Sequence, residues 1–223
     1  MSECDVVSLC DRTGNMVKPW AEAGHRCLCL DIAHSIRRER EIEVGSGSIV
    51  YRWANVRSLT PSDLPRGPLI VFAFPPCTNL AVSGARDFRS KGLRGLIDGL
   101  ELVESCRQLC EFADCPWMLE NPVSRLSSCW RKPDHTFHPW MYGDNYTKNT
   151  CLWTGGGFRM PPPAVDQDPV GRLFKVRDVI SASDVEDKIW KMSPSPDRAE
   201  KRSETPMGFA RAVFEANRYR QEA

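Results

Sequence analysis

Short apolar runs, each stopped by a polar residue or a proline, most constrain what this chain can fold into. Each is four to six residues long, which suits a buried strand and is too short for a helix. The runs alternate with helix-like stretches, a pattern typical of an α/β protein with a mostly parallel sheet. They occupy residues 5–10, 27–30, 49–53, 69–74, 117–120 and 150–153.

Three helices are predicted among these strands. Residues 16–23 end at Gly24, and glycine is typical of a helix C-terminus. Residues 93–112 place most of their leucines on one stripe, and residues 207–219 form the final helix. The charged stretch 37–43 is interpreted as a solvated surface.

Charge and composition limit the function classes that the chain can belong to. Lys plus Arg number 30 and Asp plus Glu 29, so the net charge of +1 gives no general attraction to nucleic acid or to a membrane. Any contact with a polyanion must therefore come from a local basic patch. No window of 18 apolar residues occurs and the N-terminus does not resemble a signal peptide, so we expect a cytoplasmic protein that does not bind a membrane.

The ten cysteines are expected to be thiols, since disulfides are rare in a reducing cytosol. Cys-x-x-Cys pairs are absent from the sequence. His135 and His138 near Cys129 also lack the paired spacing of a zinc site. No metal site is therefore predicted.

Polar or special residues follow four of the predicted strands, at residues 11–15, Asp31, 75–79 and 120–122. Ligands of open parallel sheets bind beyond the carboxyl ends of the strands. Taken singly, an Asp after a strand commonly caps a helix and a cysteine is commonly inert packing. Their combination on successive strands predicts one ligand site.

Two of these strand ends resemble motifs of the C5-cytosine methyltransferase family. Residues 74–77 read Phe-Pro-Pro-Cys and residues 120–122 read Glu-Asn-Pro, similar to the family's prolyl-cysteine and Glu-Asn-Val pair. Residues 8–14 resemble the cofactor-binding first motif, and residues 202–210 resemble the last motif. The resemblance covers most of residues 5–155 and the C-terminal helix, and it extends to small phage-borne members of the family.

The resemblance implies a Rossmann-like class I S-adenosylmethionine-dependent methyltransferase, with a mostly parallel sheet and helices on both faces. The catalytic domain would comprise residues 1–155 and 204–223. An irregular, loop-rich insertion, residues 156–203, would stand in place of a target-recognition domain. If the chain is encoded by a phage, the expected location is the host cytoplasm.

The resemblance also implies a covalent mechanism. Cys77 would add to C6 of cytosine, because C5 is not nucleophilic enough to take a methyl group directly. Glu120 would contact the ring nitrogen N3 and the N4 amino group and stabilise the charge that develops. Asn121 and Pro76 would position the two catalytic segments.

The residues that the resemblance assigns to S-adenosylmethionine lie at or just after the ends of the first four predicted strands. Gly14 would let the backbone pass close to the methionine portion, Asp31 would accept from ribose hydroxyls, and Asn55 would contact the adenine edge. The full set is Cys10, Asp11, Thr13, Gly14, Asp31, Ile32, Asn55 and Phe74. Arg12 replaces a glycine of the family motif.

The residues assigned to the substrate are mostly basic. The resemblance implies that Lys148, in the segment 146–150, takes the place of an arginine that steadies the cytosine carbonyl or the catalytic loop. The others lie in a basic segment that would bind phosphates of DNA or of a nucleotide, or would simply be solvated. The set is Thr78, Arg86, Arg89, Arg94 and Lys148.

Three functional alternatives stay open. The family favours cytosine in DNA, which we prefer, with a possible partner chain for targeting. The short insertion and the near-neutral charge favour a free deoxycytidine nucleotide, dCMP or dCTP. A catalytically silent binding relative is the third alternative.

Overall fold

A computed structural model describes residues 4–82, 88–164 and 204–219 of the chain. Its described part contains an eight-stranded sheet in the order β3-β4-β2-β1-β5-β6-β8-β7. The strands are β1 (Val6–Leu9), β2 (Arg26–Asp31), β3 (Arg40–Val44), β4 (Gly47–Trp53), β5 (Ile70–Ala73), β6 (Trp117–Pro122), β7 (His135–Phe137) and β8 (Thr150–Gly155). All six predicted strands are confirmed.

The central five strands, β4, β2, β1, β5 and β6, run parallel to one another. Every residue of β1 and β5 is buried, as expected of strands covered on both faces. The outer strands pair antiparallel: β3 with β4, β8 with β6, and β7 with β8. The fold is therefore α/β with a mixed, mostly parallel sheet.

The strand order reverses direction at β1. The chain runs from β1 to β2 on one side and later returns to β5 on the other side. Leu9 is in register with Ala73, and Phe74 N donates to Leu9 O at 2.9 Å. The segments after β1 and β5 therefore leave the sheet side by side, at the place where open α/β sheets bind ligands. We call this side the carboxyl edge of the sheet.

Helices cover both faces of the sheet. They are α1 (Lys18–Glu22), α2 (Phe88–Phe112), α3 (Leu126–Cys129) and α4 (Met207–Asn217). One core cluster joins α2 to Val7 and Leu9, whereas the other joins α1 and α4 to Val6. Because successive strand residues point to opposite faces, α2 lies on one face and α1 and α4 lie on the other.

Residues 37–43, interpreted as a solvated surface, are mostly exposed, but their second half also belongs to a strand that was not predicted. Residues 40–44 form β3, an edge strand in which Ile42 and Val44 pack against the core. The charged residues of the strand face solvent. Edge strands commonly carry such charges, which discourage pairing with another chain. The charges that suggested a surface therefore belong to an edge strand.

The predicted helix at 93–112 begins earlier, at Phe88. Gly92 interrupts it with φ 61° and ψ −165°, a conformation in which only glycine is relaxed. Arg89 and Arg94 therefore lie on the two sides of this break and not in an open loop. Arg86 lies outside the described residues.

The final helix α4 returns the chain to the first core strands. Phe209 is stacked on Phe137 with ring centroids 3.9 Å apart, and Phe214 contacts Trp20 edge-on at 5.1 Å. Residues 156–164 follow β8, and Phe158 packs against the same core. Residues 165–203 lie outside the described part, so the division into domain and insertion stays a prediction. No described helix combines the length and the apolar character needed to span a membrane.

Candidate active site

The segment that follows β5 forms a tight turn at Cys77. Pro75 is buried, Pro76 is exposed and Cys77 is half-buried. The carbonyl of Cys77 accepts from Leu80 N at 2.9 Å and from Ala81 N at 2.8 Å. Proline cannot continue a central strand, so the chain leaves the sheet here and carries the thiol to the carboxyl edge. We call residues 74–82 the Cys77 loop.

A second segment, residues 120–125, packs directly against the Cys77 loop. Asn121 is fully buried, and its Nδ2 donates to Pro75 O at 2.9 Å. Val82 N donates to Val123 O at 3.0 Å, and Arg125 N donates to Leu80 O at 3.0 Å. The two motif segments identified in the sequence are therefore held together by three hydrogen bonds.

Glu120 and Asn121 point to opposite faces of the sheet, because they are neighbours on β6. Asn121 follows the direction of Leu119, toward α2, whereas Glu120 follows the direction of Met118, toward α1 and α4. The two adjacent residues thus make different contacts. Asn121 binds the Cys77 loop, whereas Glu120 lies on the face of the sheet that α1 and α4 cover.

Glu120 is paired with Lys148 across the carboxyl edge. Glu120 Oε1 lies 3.4 Å from Lys148 Nζ, and the two side chains are 16% and 17% exposed, respectively. Among the described residues, Asn121 Oδ1 is buried without a hydrogen-bond donor, whereas Glu120 Oε1 has the ion pair with Lys148 but no contact of hydrogen-bond geometry. An unsatisfied buried acceptor costs free energy that a donor group on a ligand would recover.

Tyr146 lies close to this ion pair, and the sequence assigned it no role. Burial raises the pKa of its phenol, and the negative charges of Asp144, Glu204 and Glu120 raise it further. Tyr146 therefore stays neutral and can both donate and accept a hydrogen bond. The only signal in the sequence was its position two residues before Lys148.

The segment after β1, residues 10–15, is shaped by Asp11; we call it the first loop. Asp11 is buried, and its Oδ1 accepts from Thr13 N at 3.0 Å and Gly14 N at 2.7 Å. Its Oδ2 accepts from Ser8 Oγ at 2.7 Å. The carboxylate of Asp11 thus holds the loop in place and is occupied by these donors.

The side chain of Tyr51 leaves no room for a Cβ atom at position 14, which is occupied by glycine. The φ of Gly14 is +73°, and an added Cβ would lie 2.6 Å from Tyr51 Oη. Tyr51 Oη in turn donates to Thr13 O at 3.0 Å. The sequence predicted a close approach of backbone to cofactor at this glycine, whereas the close neighbour in the structure is Tyr51.

Asp31, Ile32 and Asn55 lie together where β2 and β4 end. Asp31 Oδ1 accepts from Ala33 N at 2.7 Å, which leaves Oδ2 for another donor. Ile32 is 66% exposed, so an apolar surface lies beside that carboxylate. Asn55 is exposed and its Oδ1 accepts from Arg57 N at 3.3 Å, which leaves its amide donors. A carboxylate oxygen, an apolar surface and an amide suit the ribose and base of a nucleoside.

Cys10 is the first residue of the first loop and Phe74 is the first residue of the Cys77 loop, and they follow the neighbouring strands β1 and β5. Both are half-buried. Cys10 has a φ of 55°, uncommon for a residue other than glycine, and its Sγ lies 3.9 Å from Cys106 Sγ. The pKa of the Cys106 thiol is raised through its hydrogen bond with Cys10 and by burial, so Cys106 is not a nucleophile.

The start of α4 and the residues just before it contact both the first loop and the segment that precedes Lys148. Asn15 Nδ2 donates to Thr205 O at 3.5 Å, and Gly208 N donates to Asp144 Oδ2 at 3.1 Å. An added Cβ on Gly208 would lie 2.0 Å from Tyr142 O, so no larger residue fits. The described part of the last predicted motif thus contacts the site.

Two of the basic residues assigned to the substrate, Arg89 and Arg94, lie on α2. Lys91 Nζ donates to Thr78 O at 2.6 Å, which ties the start of α2 to the Cys77 loop. Thr78, Arg89 and Arg94 are exposed.

All ten cysteines are reduced thiols in the structure. Within the described residues, no three His, Cys, Asp or Glu side chains are grouped so that they could hold a metal ion.

Neither the protein-family models nor the curated proteins compared with this chain match it. The likeness to cytosine methyltransferases therefore rests on the motif residues of the sequence alone.

Proposed function

We propose that this chain is an S-adenosylmethionine-dependent cytosine C5-methyltransferase that acts through a covalent Cys77 adduct. One observation carries the proposal. The Cys77 loop and the Glu120 segment, more than forty residues apart in the chain, are joined by the hydrogen bond from Asn121 Nδ2 to Pro75 O. A half-buried thiol, a carboxyl group and an ammonium group therefore share one edge of a parallel sheet, where such sheets bind their ligands.

Cys77 is the nucleophile of the proposed reaction. Its thiolate adds to C6 of cytosine, and the ring becomes an enamine whose C5 is nucleophilic. Only the thiolate attacks, and a thiol of ordinary pKa is a few per cent ionised near pH 7. Cys77 is half-buried at the end of a strand and is thus more accessible than the cysteines of the core. Loss of the C5 proton to a base then returns an electron pair that expels the Cys77 thiolate.

Glu120 stabilises the charge that forms on the ring during this attack. In the free protein the carboxyl group of Glu120 is paired with Lys148. A bound cytosine offers N3 as an acceptor and N4 as a donor, and the carboxyl group of Glu120 contacts both atoms. Lys148 keeps further donors for the carbonyl oxygen of the base.

S-adenosylmethionine, when bound, supplies the electrophilic methyl group that C5 takes up. The residues present fit this cofactor. Asp31 Oδ2 would accept from the ribose hydroxyls, Ile32 would contact the adenine, and Asn55 would donate to the adenine edge. Asp11 and Gly14 act indirectly, since they hold the first loop in the shape that borders this site.

The proposed substrate is cytosine in DNA. A basic stretch beside Cys77, including Arg89 and Arg94, suits a phosphate backbone around an extruded base. A free deoxycytidine nucleotide is the second candidate, favoured by the net charge of +1 and by the short segment, residues 156–203, where the family places a recognition domain.

Transfer of tritium from labelled S-adenosylmethionine tests the proposal. Duplex DNA, single-stranded DNA, dCMP and dCTP are offered separately to the wild type, to Cys77→Ala and to Cys129→Ala. Cys129 is exposed and lies on α3, so it is a matched thiol control. We expect label in DNA with the wild type and with Cys129→Ala, and none with Cys77→Ala. Label only in dCMP or dCTP would show that the substrate is a free nucleotide and not DNA. No label in any of the four substrates would contradict the proposed enzymatic activity.

Two further measurements separate an enzyme from a silent binding relative. A substrate with 5-fluorocytosine retains its C5 substituent, so the enzyme is trapped as a covalent adduct that denaturing gels detect. A silent relative forms no adduct. Glu120→Gln should lower the rate of transfer about 10²–10⁴-fold and leave cofactor affinity within about twofold, because Glu120 acts on the base.

A further inference from the structure

A cavity of about 210 Å³ lies beside the Cys77 loop, at the start of α2. Its wall is partly apolar, from Phe88, Leu93 and Leu96, and partly polar, from Asn79, Lys91 and Arg125. The proposed reaction uses none of these side chains. Leu93 is 73% exposed, so the cavity opens to solvent along an apolar rim.

The cavity lies next to the proposed site. Asn79 is two residues beyond Cys77, so their Cα atoms are at most about 7 Å apart. Lys91 Nζ donates to Thr78 O at 2.6 Å, and Arg125 N donates to Leu80 O at 3.0 Å. The ammonium group of Lys91 and the backbone of Arg125 are therefore both fixed to the Cys77 loop. Stacked nucleotides of one strand follow each other at about 3.4 Å, so the cavity is one or two nucleotides from Cys77.

The charges of the cavity select an anion that carries a flat ring. The Arg125 guanidinium carbon lies 5.0 Å from the centroid of the Phe88 ring, and Arg125 is exposed. Lys91 uses one of its three donors on Thr78 O. None of the described residues that line the cavity is acidic. Aromatic and guanidinium planes beside free cationic donors are the elements with which proteins bind single-stranded nucleotides.

We infer that this cavity binds the nucleotide next to the target cytosine on the same strand, so that the substrate is a polynucleotide. Phe88, Leu93 and Leu96 contact its base, and Arg125 and Lys91 contact the phosphate between the two nucleotides. The inference rests on the proposed function, since it takes the target cytosine to lie at Cys77. A free nucleotide would fill only the Cys77 side and would leave the cavity unused.

Equilibrium binding in the absence of cofactor tests the inference independently of methyl transfer. The probe is a dye-labelled single-stranded oligonucleotide with one central deoxycytidine between thymidines, measured by fluorescence anisotropy; dCMP is measured by calorimetry. Arg125→Gln should weaken oligonucleotide binding about tenfold, which corresponds to the loss of one charged hydrogen bond. Its dCMP affinity should stay within about twofold of the wild type.

The dependence on salt distinguishes a phosphate contact from a structural effect. Loss of one phosphate contact on a single strand lowers the slope of log K against log salt by about 0.7. Arg125→Gln should show this lower slope, and Arg125→Lys, which keeps the charge, should keep the wild-type slope. Phe88→Leu should weaken oligonucleotide binding and leave the slope unchanged, since it removes stacking alone.

Arg159→Gln is the matched control. Arg159 is exposed and follows β8, which runs antiparallel to β6, so it lies at the opposite edge of the sheet from Cys77. Equal effects of Arg125→Gln and Arg159→Gln, or wild-type binding of the oligonucleotide no tighter than that of dCMP, would overturn the inference. Methylation of dCMP could then still support the proposed enzyme. Conversely, Arg125-dependent oligonucleotide binding without a 5-fluorocytosine adduct would contradict the enzyme and leave nucleotide binding at the cavity in place.

Discussion

At the scale of single residues, Asn121 connects the two segments that carry the proposed chemistry. Its Nδ2 donates to Pro75 O at 2.9 Å in a fully buried setting. Pro75 has no N–H of its own, and its carbonyl depends on Asn121 for a donor. The orientation of Cys77 relative to β6 thus depends on this buried amide together with the two backbone hydrogen bonds from Val82 and Arg125.

Asn121→Ala should destabilise the fold by about 1–3 kcal/mol, because it leaves the buried carbonyl of Pro75 without a donor. Urea denaturation measures this loss. The rate of adduct formation with 5-fluorocytosine should fall further than the unfolded fraction explains. Asn149→Ala, at an exposed asparagine on the same side of the sheet, should change neither quantity. Unchanged stability of Asn121→Ala would show that the amide does not hold the loops.

His138 links stability to pH through its burial. Burial lowers the pKa of His138 below its ordinary value of 6.5, and its Nδ1 has no hydrogen-bond partner among the described residues. The unfolded chain therefore binds this proton more tightly than the folded chain does. Stability from the neutral imidazole is present above pH 6.5 and is lost as the pH falls through the lower, folded pKa.

His138→Gln should consequently reduce the loss of melting temperature between about pH 7.5 and about pH 5.5. Thermal unfolding of both proteins at several pH values measures the difference. The contribution from other groups, such as Asp144, is common to both proteins. Parallel curves for wild type and variant would exclude His138 as the source.

At the scale of elements, the first loop is held by its contact with the neighbouring strand β4. Tyr51 on β4 donates to Thr13 O and occupies the space that a side chain at position 14 would need. The presence of glycine at position 14 is thus explained by its contact with Tyr51. The loop that borders the proposed cofactor site is shaped before any cofactor binds.

Gly14→Ala should destabilise the protein by about 1–3 kcal/mol, from its positive φ and from the contact with Tyr51 Oη. Tyr51→Phe alone should cost about 1 kcal/mol, for one lost hydrogen bond. In the double variant the two losses should not add, because Tyr51→Phe removes the closest atom to the new Cβ. Denaturant titration of the four proteins gives the coupling energy, and strict additivity would contradict the contact.

Strand β3 shows why an element can escape prediction. Its sequence, Arg-Glu-Ile-Glu-Val, is mostly charged, and only the alternation of Ile42 and Val44 indicated a strand. An edge strand needs one partner and one buried face, so charge on its other face is no obstacle. The apolar runs of the central strands carry a stronger signal because they are buried on both faces.

At the scale of the whole molecule, the C-terminal helix completes the site. Phe209 is buried against Phe137 and Tyr142, and Thr205 just before the helix contacts Asn15 of the first loop. The C-terminal end of the chain and its first loop therefore meet at the same edge. The packing of α4 therefore stabilises the whole fold and also holds the first loop beside the proposed cofactor site.

Phe209→Ala should destabilise the protein by about 3–5 kcal/mol, since it removes a buried ring and leaves a cavity. Differential scanning fluorimetry and denaturant titration measure this loss. Affinity for S-adenosylmethionine should fall as well, because α4 no longer holds Thr205 against the first loop. Tyr219→Ala, at an exposed aromatic residue beyond the same helix, is the control and should leave both values unchanged. A loss of affinity for Tyr219→Ala as large as that for Phe209→Ala would contradict this account.

Much of the candidate site followed from knowing where the strands end. Cys77, Glu120 and Asp31 were placed at one edge of the sheet because the carboxyl ends of parallel strands meet there. Tyr146, Glu204 and the cavity at Arg125 were not predicted. Tyr146 and Glu204 lie in segments with a motif resemblance, but neither was among the residues given a role, and the cavity is formed by side chains from separate segments of the chain.

The sequence by itself determined the buried strands and the points where they stop, because apolar runs, prolines and glycines act on local backbone structure. Only the tertiary structure decided that Asn121 joins Pro75, that Glu120 pairs with Lys148 and that Tyr51 requires Gly14. The physical reason is one of range. Burial and backbone preference are properties of a segment, whereas a hydrogen bond or an ion pair needs two residues that the fold must first bring within a few ångströms.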